Sequence, residues 1–122
     1  MFEYEGFEIS ELVAEYSVHR LHAPRDMVVK VYQYETGKFE ARCNYSYWGP
    51  TQAGPYQRSV PDANSKEEAV KDALRRMMMN HRDDYEDWQF AWVKIDDPAE
   101  LVVLGSGDIV SKEEFLASRK KA

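Results

Sequence analysis

The chain has 122 residues, a formal net charge of −6 and one cysteine. That length fits one domain, residues 1–122, with a single core and no room for a separate catalytic domain. Apolar residues make up 43% of it, with eight Tyr, five Phe and three Trp, which excludes disorder over most of the chain. The acidic balance sets a repulsive cost against approach to phosphates, so direct nucleic-acid binding is disfavoured and a basic protein surface is the favoured partner. Cys43 has no partner for a disulfide, and a reduced thiol suits a cytoplasmic setting. The N-terminal stretch is acidic rather than basic-then-apolar, so no signal sequence is expected, and no apolar run reaches bilayer length.

At the N-terminus, Phe2, Tyr4, Phe7 and Ile9 suggest a strand around a turn at Gly6. Ser10 is placed to cap a short helix over 11–16, with Leu12, Val13 and Tyr16 on one face, before an extended stretch through Val18 and Leu21. From Met1 to Tyr16 there are five acids (Glu3, Glu5, Glu8, Glu11, Glu15) and no base. The segment His22 to Asp26 breaks the pattern, and Pro24 biases Ala23 toward an extended conformation. Met27 to Tyr34, rich in Val and Tyr, reads as a strand. Glu35-Thr36-Gly37-Lys38 reads as a tight turn, with Gly37 suited to positive φ.

Lys38 to Trp48 returns antiparallel with strict period-two alternation. Phe39, Ala41, Cys43, Tyr45 and Tyr47 lie on one side; Glu40, Arg42, Asn44, Ser46 and Trp48 lie on the other. Gly49 to Asn64 is rich in Gly and Pro, and Tyr56 to Val60 offers a short third strand within it. Ser65-Lys-Glu-Glu68 is a capping box that opens a helix running to about Arg82. Ala69, Val70, Ala73, Leu74, Met77 and Met78 form its apolar stripe. Asp87 to Ile95 reads as a strand with apolar groups on both sides, which places it centrally or beneath another element. Asp96-Asp97-Pro98 turns the chain into a strand from Glu100 to Leu104, closed by Gly105 to Asp108. A second box at Ser111 to Glu114 opens a short final helix holding Phe115 and Leu116.

These elements predict an α+β fold: an antiparallel sheet of four to six strands, one main helix packed on a face, and a short C-terminal helix. The stripe Val70, Leu74, Met77 and Met78 should meet the sheet side that carries Phe39, Ala41 and Cys43.

The chemistry is sparse. His19, His22 and His81 do not stand at the spacing of a closed zinc site, and Asp83, Asp84, Glu86 and Asp87 lack the alternating ligands and central Gly of a calcium loop. Gly105-Ser106-Gly107 lacks the third Gly or the Lys of a nucleotide loop. Cys43 falls mid-strand on an apolar side, as a buried inert thiol does. No metal or cofactor is therefore expected, and no nucleophile stands out. The aromatic groups Tyr45, Tyr47, Trp48, Tyr56 and Trp88, Phe90, Trp92 remain, as core, interface or base-stacking residues. Trp48, opposite the Tyr45/Tyr47 side at a strand end, is the predicted exposed ring.

The leading reading is a non-enzymatic binding protein. Trp48 and Tyr56 would be its apolar anchors, and Asp83, Asp84, Glu86, Asp87, Asp96 and Asp97 would meet Lys and Arg on a partner. Two alternatives stay open: a single-stranded nucleic-acid-binding module that uses exposed aromatics, and a small enzyme with a carboxylate site of no recognised pattern.

The order strand–turn–strand–(strand)–helix over Met27 to Met79 resembles a double-stranded-RNA-binding or HicB-like half-domain, carried by Gly37 to Met78 with Ser65-Lys-Glu-Glu-Ala-Val opening the helix. The resemblance implies a three-stranded antiparallel sheet packed on that helix. Where the RNA-binding families place a lysine cluster, this chain has Lys66 followed by Glu67 and Glu68, which repel phosphate. In style the whole chain is similar to small phage and mobile-element accessory proteins of the anti-CRISPR type, which are short, acidic, aromatic-rich and without catalytic motifs. That likeness implies an inhibitor that occupies a basic nucleic-acid-binding surface of its target.

Overall fold

The computed structural model describes residues 2–121. In chain order the elements are β1 (Ser10–Ser17), β2 (Val28–Tyr34), β3 (Phe39–Cys43), β4 (Tyr45–Trp48), α1 (Lys66–Met78), β5 (Ala91–Lys94), β6 (Leu101–Leu104), β7 (Ile109–Ser111) and α2 (Lys112–Lys121). The fold is α+β with antiparallel pairing throughout the named strands. The strands divide into two sheets, β1-β2-β3 and β4-β5-β6-β7, rather than forming one sheet of four to six.

The division falls at Asn44, inside the segment that alternates most regularly. Asn44 breaks Lys38–Trp48 into β3, which pairs with β2, and β4, which pairs with β5. Its backbone amide donates to the Val28 carbonyl at 3.0 Å, while its carbonyl accepts from Ile95 at 2.8 Å, one bond toward each sheet. Its side-chain oxygen accepts from the Val28 amide at 2.8 Å, and its Nδ2 donates to the Asp26 carbonyl at 2.9 Å. The residue thus meets the main chain of both sheets, and alternation continues across it because both halves remain extended.

The larger core lies between the two sheets and α1. Val29, Val31, Ala41 and Cys43 from the first sheet meet Ala69 and Met77, with Val70, Leu74 and Met78 half-buried against them. Tyr45, Tyr47, Phe90 and Trp92 of the second sheet and its approach close the same core. The predicted contact of the helix stripe with the Ala41/Cys43 side is present. A second core holds Trp48, Ala91, Val102 and Phe115, on the opposite face of β4-β5-β6-β7 beneath α2. β5, apolar on both sides, is central in its sheet and covered on both faces, as its composition required.

The β2–β3 turn is built as expected: Gly37 has φ 85°, Gly37 N donates to Tyr34 O at 2.9 Å, and Tyr34 N donates to Lys38 O at 2.9 Å. Ser65 caps α1 by accepting from Glu68 N at 3.0 Å, but the Glu68 carboxylate reaches Asn64 N at 2.9 Å rather than the amide of Ser65. α1 ends at Met78, short of Arg82. The strand expected from Asp87 begins only at Ala91, because 83–89 form successive turns.

Two expectations are overturned. Residues 11–16 are not helical; they lie in β1, paired with β2. A bulge between Leu12 and Ala14 inserts Val13 and shifts the side-chain phase, so Val13 and Ala14 both pack inward. The apolar spacing then mimics a helical face. Residues 56–60 form no third strand. Tyr56 makes a single bridge to Tyr47, and Ala63 another to Phe39. Between them the Gln57 side chain acts as a strand partner: its Oε1 accepts from Cys43 N at 3.0 Å and its Nε2 donates to Cys43 O at 2.8 Å and Tyr45 O at 3.0 Å. The loop in this way closes the edge of β3 without adding a strand.

Candidate protein-interaction surface

Trp48 is not the exposed ring the alternation suggested. It is 1% exposed, with its Nε1 donating to Gln52 O at 2.9 Å and its ring 5.1 Å from Phe115. The Arg119 guanidinium lies 5.7 Å from the Trp48 ring and 5.3 Å from that of Phe115, and donates to Gly49 O at 2.8 Å. The polar side of the strand is covered here because α2 folds back over β4, a long-range contact that alternation does not register. Tyr56 is exposed, at 56%.

The six acids predicted to contact a partner do not form one patch. Asp83 pairs with Arg20 at 3.0 Å and Asp84 with Arg82 at 2.9 Å. Glu86 accepts from Trp88 Nε1 at 2.8 Å, and Asp87 accepts from Ser106 N at 3.1 Å. These four precede β5, whereas Asp96 and Asp97 follow it, so the two groups sit at opposite ends of that strand. Asp97 accepts from Ala99 N at 2.9 Å in a local turn. Five of the six are thus engaged by groups of their own chain.

The buried polar groups are held in structural roles. Glu40, 6% exposed, accepts from Tyr34 Oη at 2.6 Å, from Arg42 Nη2 at 2.7 Å and from Ser59 Oγ at 2.9 Å. Burial raises its carboxyl pKa, but these bonds together outweigh burial and hold it below the usual value. Tyr47 Oη lies 2.6 Å from His81 Nδ1, and His81 Nε2 faces Asp83 at 3.5 Å. Desolvation, assisted by Arg20, lowers the His81 pKa, so the neutral ring is favoured; with Nε2 toward the Asp83 carboxylate, the tautomer that leaves Nδ1 to accept from Tyr47 fits both neighbours. Burial pushes the Tyr47 phenol and the Cys43 thiol up, away from the anionic forms that acid–base or nucleophilic work would use. Among the described residues, no three His, Cys, Asp or Glu side chains gather as a cation site would need.

A different surface combines the features that the sequence assigned to a partner. Phe2, Tyr4, Phe7, Leu12 and Tyr16 are exposed, and so are Glu3, Glu5, Glu8, Glu11 and Glu15 between them. Gly6, at φ 81°, turns residues 4–7 so that Phe7 N donates to Tyr4 O at 3.0 Å and the two rings lie 5.4 Å apart. The segment then enters β1, the outermost strand of its sheet. Glu15 approaches Lys30 at 3.9 Å across exposed surface, a weak contact. The signal is present in the sequence as five acids with no base between Phe2 and Tyr16; a helical reading of 11–16 hides that Glu11 and Glu15 lie on the edge strand β1.

Comparisons with protein-family models, with curated proteins and with solved structures return no match.

Proposed function

We propose that this chain is a non-enzymatic protein-binding protein that meets a basic partner through its N-terminal surface. The observation that carries the reading is the mixture of five exposed carboxylates and five exposed large apolar side chains between Phe2 and Tyr16, with no base among them. Aromatic and aliphatic anchors supply the apolar contact, and the carboxylates steer a cationic surface toward them. Where that surface is one that binds nucleic acid, the carboxylates take the place of phosphates and the chain acts as an inhibitor, as proteins of the anti-CRISPR type do. The same acids repel phosphate, so the exposed rings favour a protein over a single-stranded nucleic acid.

The test is affinity capture from the native host with the unaltered chain and with a variant carrying Lys at Glu3, Glu5, Glu8, Glu11 and Glu15. A nucleic-acid-binding protein should be captured by the former only, and added polynucleotide should displace it. Capture that survives both charge reversal and polynucleotide would overturn the proposal.

A further inference from the structure

The free edge of β1 assigns a mode of recognition to this surface. β1 is eight residues long and, among the described residues, pairs on one side alone, with β2. Val18 N donates to Met27 O at 3.1 Å as the ladder opens. Antiparallel ladders alternate, so Tyr16 pairs toward Val29 and the main-chain groups of Glu15 and Ser17 face the open side. Unpaired amides and carbonyls in such a row are a template for another strand. Each face of the edge offers one acid beside one apolar group. Leu12 and Glu15 share the side of Tyr32 and Lys30, and Glu11 and Tyr16 share the side of Gln33 and Val29.

We infer that an extended segment of a partner protein, carrying Lys or Arg beside apolar residues on each face, adds to β1 as an antiparallel strand. The inference rests on the reading of this surface as protein-binding. Charge selects the occupant. A second copy of this chain would set the Phe2–Tyr16 segment, with five acids and no base, against the same segment. Like charges on neighbouring strands are destabilising. A cationic strand meets no such repulsion. Its main-chain hydrogen bonds supply affinity, and its alternate side chains supply specificity.

The probe is a synthetic peptide of repeated Lys-Lys-Val-Val, which as a strand shows Lys and Val alternately on both faces; the control is Glu-Glu-Val-Val. The Lys peptide should bind and slow amide hydrogen exchange at Glu15 and Ser17, while the Glu peptide should not bind. Glu15→Pro removes an amide that the fold does not use, and should weaken binding about tenfold through lost main-chain bonds. Glu15→Gln, which keeps the amide, should weaken it less, and circular dichroism confirms that each variant folds. Equal binding by Glu15→Pro and Glu15→Gln, or binding without protection at Glu15 and Ser17, overturns strand addition while leaving the charge-based surface intact. Indifference to peptide charge, or no binding of the Lys peptide, overturns both. A chain that sediments as a dimer, with protection at Glu15 and Ser17 before any peptide is added, identifies the second copy as occupant and also overturns the inference.

Discussion

His81 shows how one buried ring links packing to pH. Its side chain is 3% exposed, edge-on to Tyr47, Tyr85 and Phe90, and it accepts the Tyr47 hydroxyl proton while neutral. Its pKa in the folded chain is lowered from 6.5, chiefly by desolvation. The unfolded chain therefore binds the proton first as pH falls. Native stability conferred by the neutral ring is complete above 6.5 and is lost as pH drops from there through the lowered folded value. Denaturant titrations between pH 7 and 5 should show this loss, and His81→Gln, which keeps an acceptor for Tyr47, should flatten it. Carboxylates with lowered pKa that are at least partly covered, Asp26, Glu40 and Asp72, contribute in a separate and more acidic window, below about pH 4.5. An unchanged slope between pH 7 and 5 in His81→Gln would remove the ring from the explanation.

At the scale of elements, α1 is fixed by local chemistry and by one stripe. The Ser65 cap, Glu67 and Glu68 in the first turn and Arg75 and Arg76 in the last all agree with the helix polarity. Asp72 adds ion pairs to Arg75 and, at 2.8 Å, to Arg76. Leu74→Ala should destabilise the chain by about 2 kcal/mol, near the low end for such truncations, because a cleft lined by Val18, Ala23, Met27, Met78 and Trp92 already opens beside Leu74. Chemical denaturation measures this directly, and a change under about 0.5 kcal/mol would mean that the stripe does not hold the helix to the sheet. α1 was legible because cap, stripe and terminal charges all lie within its own residues. So was the β2–β3 hairpin, whose turn chemistry is local to Gly37. β1 was not, since one inserted residue at Val13 erased its period. β7 was not, because three residues are too few to show any period. The candidate surface was half legible: its charge was written plainly in Glu3 to Glu15, but its place on a sheet edge depended on the strand that the bulge disguised.

Over the whole molecule, the two sheets and two cores decide which aromatic residues hold the fold and which face outward. The Lys38–Trp48 segment supplies both cores, through Ala41, Cys43, Tyr45 and Tyr47 on one side of the chain and Trp48 on the other. Sequence alternation separates those sides correctly but cannot state that α2, more than sixty residues away in the chain, returns to cover the second. The consequence divides the two rings that composition treated alike. Trp48→Ala removes the largest side chain of the smaller core and leaves Arg119 and Phe115 facing a void, so it should cost about 3–5 kcal/mol. Tyr56→Ala removes an exposed ring and should stay within about 0.5 kcal/mol. Thermal or denaturant unfolding of the two variants separates them, and equal stability would place Trp48 at the surface after all. Binding to the proposed cationic partner should follow neither stability change. A folded Tyr56→Ala chain should keep its affinity, whereas exchange of Phe7 or Tyr16 for Ala should weaken capture with little effect on unfolding, because these rings lie outside both cores and within the acidic edge.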